Sequence, residues 1–330
     1  MTYIPDKLIG IPTGYPEEIT THEINKRFRR ILGEFETPSV PLNTKVINET
    51  ELPAGIIKQR IEYCVNEDEI VPAYHLFKKG LSDNAPGLLS IHGHGGNDIF
   101  PVGKEFHCQP KSEDPMQYSY IAALNGFRVL APDALCFGER QAKFGYSTMF
   151  FYEILAHAEL TSRDRSLAWK SVWDNSRAVE VLESLGCTSI GTIGWSGGST
   201  QAYILASVNR KVKATACFSS FTTLRHQFYQ FRCVHCLYHY IPGMLQNGID
   251  WDQVVSLIPP RKLFLAWGAL DAGTPEQEYK AYTDAIKRRC EEENFQNVLY
   301  LYEESNKGHN ITMPMLQSAI QFLKASIDKQ

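Results

Sequence analysis

Short apolar runs recur along this chain from residue 87 onward, at 87–92, 127–131, 189–194, 213–219, 262–268 and 297–302. Each is too short for a helix and is bounded by glycine, proline or polar residues, which reads as a buried strand. Longer stretches with helical spacing lie between most of them. Strands that alternate with helices predict an α/β fold with a mostly parallel central sheet, flanking helices and right-handed crossovers. Ahead of this region, Ile56–Val65 and Ile70–Phe77 read as two antiparallel strands joined by a turn at Asn66-Glu67-Asp68-Glu69. Earlier still, Thr21–Leu32 places apolar residues at 24, 28, 31 and 32, the spacing of one helix face. That face is expected to pack on the body or on a second subunit, with Arg27, Arg29 and Arg30 on the solvated side. The organisation predicted is an N-terminal helical extension over 1–45 and one catalytic domain over 46–330.

Two aromatic-rich insertions interrupt the alternation. Residues 141–167 carry Phe144, Tyr146, Met149, Phe150, Phe151 and Tyr152, and residues 221–245 carry Phe228, Tyr229, Tyr238 and Tyr240. Both leave the sheet at its carboxyl edge or on its flank, where open α/β folds bind ligands. They read as walls of a pocket, to which Trp195, Phe228, Tyr229 and Tyr238 are the expected contributors. The competing reading is a satellite hydrophobic cluster under a long loop.

The chemistry is concentrated at the ends of the strand-like runs. Gly194-Trp195-Ser196-Gly197-Gly198 follows the run at 189–194 and precedes the helix-like Gln201–Ala206. Strand, tight turn and helix are the context in which a G-x-S-x-G serine projects from a sheet as a nucleophile. His92-Gly93-His94-Gly95-Gly96 follows the run at 87–92. A glycine-rich turn there can aim a main-chain N–H at a developing oxyanion, with His94 as the expected upstream donor and Gly197 as the other. Asp271 lies just after the run at 262–268, and His309 follows the last run. A serine hydroxyl needs an imidazole to take its proton, and the imidazole needs a carboxylate to fix its tautomer. The chain order Ser196, Asp271, His309 is the order of an α/β-hydrolase. Glu304 is the rival acid, only five residues before His309. Taken singly, Asp271 is also a common turn former and Gly308-His309 an ordinary loop.

These residues, together with Ala131-Pro132-Asp133-Ala134-Leu135-Cys136-Phe137-Gly138-Glu139-Arg140, Trp173–Ala178 and Ile258–Leu263, resemble the dienelactone-hydrolase and acetyl-xylan-esterase-like branch of the α/β-hydrolases over roughly residues 55 to 328. The resemblance implies ester hydrolysis with neither metal nor organic cofactor, on a small-molecule ester that it does not identify. Trp195 departs from the small residue that many relatives carry before the serine. The same triad can support peptide or C–C bond cleavage, and the same scaffold can serve as a silent ligand-binding module. Asp133, Glu139 and Arg140 read as structural, with Glu139 and Arg140 expected to pair with Asp174 or Arg177, and Asp174 with Arg177 three residues on.

Composition narrows the setting. The 330 residues are 43% hydrophobic and 21% charged, with a net charge of −4. That is an ordinary globular balance, and it argues against nucleic acid as partner. No apolar run approaches the ~20 residues that span a bilayer, and the first residues lack the profile of a signal peptide, so a cytoplasmic protein without membrane contact is expected. The pattern leaves oligomeric state open. The eight cysteines lie partly in strand-like runs, as Cys64 and Cys217 do, which fits buried thiols better than a disulfide framework. Cys233-Val234-His235-Cys236 with His239 resembles half a zinc site, but beyond His226 a second ligand pair is missing, so no metal is expected.

Overall fold

The structure is a computed structural model that describes residues 19–35, 40–94, 103–111, 114–141, 149–231 and 236–327. Gly95, Gly96, Phe144, Tyr146, Cys233 and His235 lie outside the described residues, as do the side chains of Met149, Phe150 and Phe151.

Helix α1 (Thr21–Leu32) precedes an antiparallel meander of β1 (Lys45–Leu52), β2 (Ile56–Asn66) and β3 (Glu69–Lys78). The alternating part follows: β4 (Gly87–Ile91), α2 (Glu105–Cys108), α3 (Tyr118–Leu124), β5 (Arg128–Pro132), α4 (Met149–Ser162), α5 (Leu167–Ser184), β6 (Ile190–Trp195) and α6 (Gly197–Val208). The chain ends with β7 (Val212–Phe218), α7 (Trp251–Val255), β8 (Lys262–Gly268), α8 (Glu276–Glu292), β9 (Leu299–Glu304) and α9 (Met313–Ile327). The described strands form one nine-stranded sheet in the order β1-β2-β3-β5-β4-β6-β7-β8-β9. The first three pairings, β1 with β2, β2 with β3 and β3 with β5, are antiparallel; the remaining pairings are parallel.

The residues of β4, β5 and β6 are all buried, as strands covered on both faces must be. Two apolar layers result. One packs α1, α5, α6 and α8 against one face through residues such as Phe28, Val179, Tyr203 and Tyr282. The other packs α3 and α9 against the opposite face through Tyr118, Phe218, Leu316 and Leu323.

Two expectations change on this frame. The catalytic domain opens with a strand, β1, that lacks an apolar pattern, because its residues are polar or exposed; Val46 is 56% exposed. Among the described strands it pairs with β2 alone and forms the sheet edge. The arginines of α1 are not simply a solvated face. Helix α1 buries Ile24, Phe28 and Leu32 on the body, and Arg27 donates to the Asn247 carbonyl at 3.0 Å while Arg29 donates to the Val208 carbonyl at 2.9 Å. Arg30 donates to the Asn247 side chain.

Candidate active site

The turn between β6 and α6 is held in a conformation that few residues adopt. Ser196 has φ 55° and ψ −122°, a strained position for a residue with a side chain. Its N–H donates to the Phe218 carbonyl at 3.0 Å, and its own carbonyl accepts from Thr200 at 3.1 Å, so β7 and the first turn of α6 fix it from both sides. The glycines around it are required by crowding. A Cβ on Gly194 would lie 2.3 Å from the Gly198 carbonyl oxygen, and one on Gly198 would lie 2.2 Å from the Ile91 carbonyl oxygen. The end of β4 and the start of α6 therefore pack backbone on backbone.

Asp271 follows β8 and His309 follows β9. His309 Nε2 lies 2.8 Å from Ser196 Oγ, and His309 Nδ1 lies 2.8 Å from Asp271 Oδ2. The Asp271 side chain is only 1% exposed, against 35% for His309. Burial works to raise the Asp271 carboxyl, but the His309 hydrogen bond and charge, with the Gly273 N–H at 2.9 Å, outweigh it and hold the group below the usual carboxylate range. The two loops are stitched together, since Ala269 N–H donates to the Glu304 carbonyl and Leu270 N–H to the Lys307 carbonyl. Glu304 points elsewhere: its carboxylate accepts from Thr312 Oγ1 at 2.5 Å.

His92, which is buried, and His94, which is partly buried, both act as braces. His92 Nδ1 donates to the Gly93 carbonyl at 2.8 Å, and Nε2 accepts from the Ala134 N–H at 3.0 Å. That pair of bonds fits the neutral ring, as does the burial that pushes its pKa down. His94 Nε2 meets Glu153 of α4 at 3.0 Å, and the ring lies against Gly197. Glu153 escaped the sequence reading because a single carboxylate in an aromatic-rich helix carries no motif.

The expected pocket residues separate. Trp195 is buried, with its ring 5.4 Å from the His309 ring and stacked on Phe106 at 6.0 Å. Tyr238 is buried with its ring 6.3 Å from that of His94. Phe228 is 38% exposed and stacks on Tyr240 at 5.5 Å, in a groove of about 350 Å³ that it shares with His157, Leu224 and Met244. Tyr229 is partly buried.

The charged residues after β5 form two clusters. Asp133 accepts from the N–H groups of Lys104 and Glu139 at 2.8 and 2.9 Å and pairs with Lys104 Nζ. Arg140 pairs with Asp174 at 2.8 Å and with Glu69, and Lys170 bridges the same two carboxylates at 2.6 and 2.5 Å. Glu139 departs from expectation: it pairs with Lys104 and Arg60 rather than with α5. Arg177 also departs, donating to the Cys64 and Val40 carbonyls and pairing with Glu180.

The remaining metal candidates are engaged. The His239 ring meets Tyr203 Oη at 2.6 Å, Thr200 Oγ1 at 3.2 Å and Gln227 Nε2 at 3.1 Å, and His226 lies 3.4 Å from Glu278. Among the described residues no cluster of three metal-ligating side chains occurs, the cysteines are free thiols, and no helix is long and apolar enough to cross a membrane.

This strand order, with a serine turn after β6, an acid after β8 and a histidine after β9, defines the α/β-hydrolase fold, and the chain has that fold. It is shared with the dienelactone hydrolases and acetyl xylan esterases that the sequence resembles. The chain is 25% identical over 317 residues to the protein described as "Putative hydrolase YtaP" of Bacillus subtilis (strain 168), covering 92% of this chain and 98% of that one. Among solved structures, the glucuronoyl esterase of Solibacter usitatus superposes with a TM-score of 0.63 at 14% identity, over 93% of this chain and 91% of that one. Acetyl xylan esterase 1 of Thermoanaerobacterium sp. JW/SL YS485 superposes with a TM-score of 0.61 at 14% identity, over 94% of each. No family model matches the chain.

Proposed function

We propose that this protein is a serine hydrolase that cleaves a carboxylic ester. The observation that carries the reading is the unbroken line of hydrogen bonds from Ser196 Oγ through His309 to Asp271, both at 2.8 Å. The relative described as a hydrolase and the esterases that share the fold support it and make esters the first substrates to assay.

In the first half-reaction Ser196 Oγ attacks the ester carbonyl carbon as its proton passes to His309 Nε2. Asp271 keeps Nδ1–H directed at itself and stabilises the imidazolium that forms. The N–H groups of Gly197 and His94 receive the oxyanion. Collapse breaks the bond to the alcohol oxygen, which takes the proton from His309. Water then attacks the acyl-serine with His309 again as base, and the acid product leaves. Such an enzyme requires no metal and no organic cofactor. The substrate is a small-molecule ester, nucleic acid and membrane are not partners, and the location is the cytoplasm; the reading is compatible with a homo-oligomer.

The test is Ser196→Ala. The variant is expected to fold, to lose labelling by a fluorophosphonate, and to lose about five or more orders of magnitude in kcat on a p-nitrophenyl ester. Turnover equal to wild type by the folded variant would overturn the mechanism.

A further inference from the structure

One side chain of α4 reaches the nucleophile turn from outside the catalytic loops. The Glu153 side chain is 1% exposed, and its two carboxylate oxygens lie 3.0 and 3.2 Å from His94 Nε2. The other edge of the imidazole rests on Gly197, where a Cβ would fall 2.4 Å from Nδ1 and 2.6 Å from Cε1. Phe137 stands edge-on to the ring at 5.4 Å and Tyr238 lies at 6.3 Å. The ring thus sits in a slot between the turn after β5, the segment around Tyr238 and the first residue of α6, with Glu153 at its far end.

A carboxylate so deeply buried is costly unless a charge or several donors answer it. Burial depresses the pKa of His157, four residues further along α4, and so favours its neutral ring. His94 is the group that answers Glu153. Burial disfavours its charged form, yet the charge and hydrogen bond of Glu153 outweigh burial and raise its pKa above 6.5.

We infer that Glu153 and His94 form a second histidine–carboxylate pair, in which Glu153 is a positioning residue that clamps the His94 ring onto Gly197 and thereby fixes the spacing of their two main-chain N–H groups. The inference rests on the serine-hydrolase reading, which assigns those N–H groups to the oxyanion. Donors displaced by about 1 Å cost on the order of a hundredfold in rate, so a clamp acting between the two is a lever on kcat rather than on substrate affinity.

The experiment is a double-mutant cycle with Glu153→Gln and His94→Asn, neither of which removes a main-chain N–H, read by kcat and KM on a p-nitrophenyl ester and by NMR titration of His94. Glu153→Gln is expected to lower kcat by about tenfold or more, with KM changed by less than about twofold. The double variant is expected to be no slower than the slower single variant, because both cut the same linkage. The His94 ring should titrate above 6.5 in the wild type and lower in Glu153→Gln. Independent, additive losses, or a full kcat in Glu153→Gln while Ser196 still takes up a fluorophosphonate, would overturn this inference alone. Turnover that survives Ser196→Ala would overturn the serine reading, and the oxyanion role of the clamp with it.

Discussion

Gly198→Ala sets two effects of known size against each other. Alanine is the better helix former, and in a helix interior the exchange stabilises by up to about 1 kcal/mol. Gly198 is the second residue of α6, where that gain is smaller. Against it stands contact with the backbone at the end of β4: an added methyl would lie 2.2 Å from the Ile91 carbonyl oxygen and 2.7 Å from that of His92. Real Cβ atoms essentially never come closer than 3.0 Å to such a neighbour, so β4 and α6 must separate by about 0.8 Å, and neither can yield by a rotamer change. Overpacking of this kind costs roughly 1–3 kcal/mol, which outweighs the helix term. The displaced residues carry Ser196 on one side and the His92–His94 turn on the other. A shift approaching 1 Å between nucleophile and oxyanion donors costs about a hundredfold in kcat, or about 2.7 kcal/mol on the barrier. The assay is kcat on a p-nitrophenyl ester beside thermal unfolding followed by circular dichroism. A melting temperature lowered by roughly 2–4 °C per kcal/mol lost is expected. A variant with wild-type kcat and an unchanged or raised melting temperature would refute the reasoning.

Asp271→Asn should lower kcat by about ten-thousand-fold, by analogy with the best-studied triad, whereas Glu304→Gln, which weakens a contact to Thr312, should be mild; assayed on one substrate, the reverse ranking would reassign the acid. The Asp271 carboxyl is held below its ordinary value, so its stabilising effect is complete above the unfolded pKa near 3.9 and is lost as pH falls through the lowered value. Melting curves of wild type and Asp271→Asn should accordingly differ near neutrality and converge in strong acid. Activity should survive dialysis against a chelator, since His239 is committed to Tyr203, Thr200 and Gln227; loss on chelation that zinc restores would show a metal site involving Cys233 or His235.

Much of this architecture was legible because each feature rests on local pattern. The six apolar runs from 87 onward fall within two residues of β4 to β9, and the hairpin of β2 and β3 lies where alternation and its turn put it. Ser196, Asp271 and His309, named from order and strand context, are the residues that meet at 2.8 Å. What escaped depends on distant parts of the chain. β1 owes its pairing to β2 rather than to an apolar face of its own. Glu153 acquires its partner only when α4 folds over a turn nearly sixty residues earlier. Arg177 takes Glu180 rather than Asp174 as its partner on the helix and reaches to the Cys64 carbonyl, and Glu139 turns to Lys104 and Arg60; neither choice can be read from local spacing.

Ser196 and His309 do not share the same security within the sheet. β6 has a hydrogen-bonded neighbour on each side, whereas among the described strands β9 is the last, is attached to β8 alone, and is half-exposed along its length. Edges of a sheet open at lower free energy than its centre. Warming or mild denaturant therefore reaches the histidine before the serine. Because the β8 and β9 loops are laced together, Asp271 and His309 would retreat as a unit, leaving a well-formed but unactivated Ser196. Inactivation of this protein would then begin as a reversible fraying at one border of the molecule, well ahead of the collapse of its core.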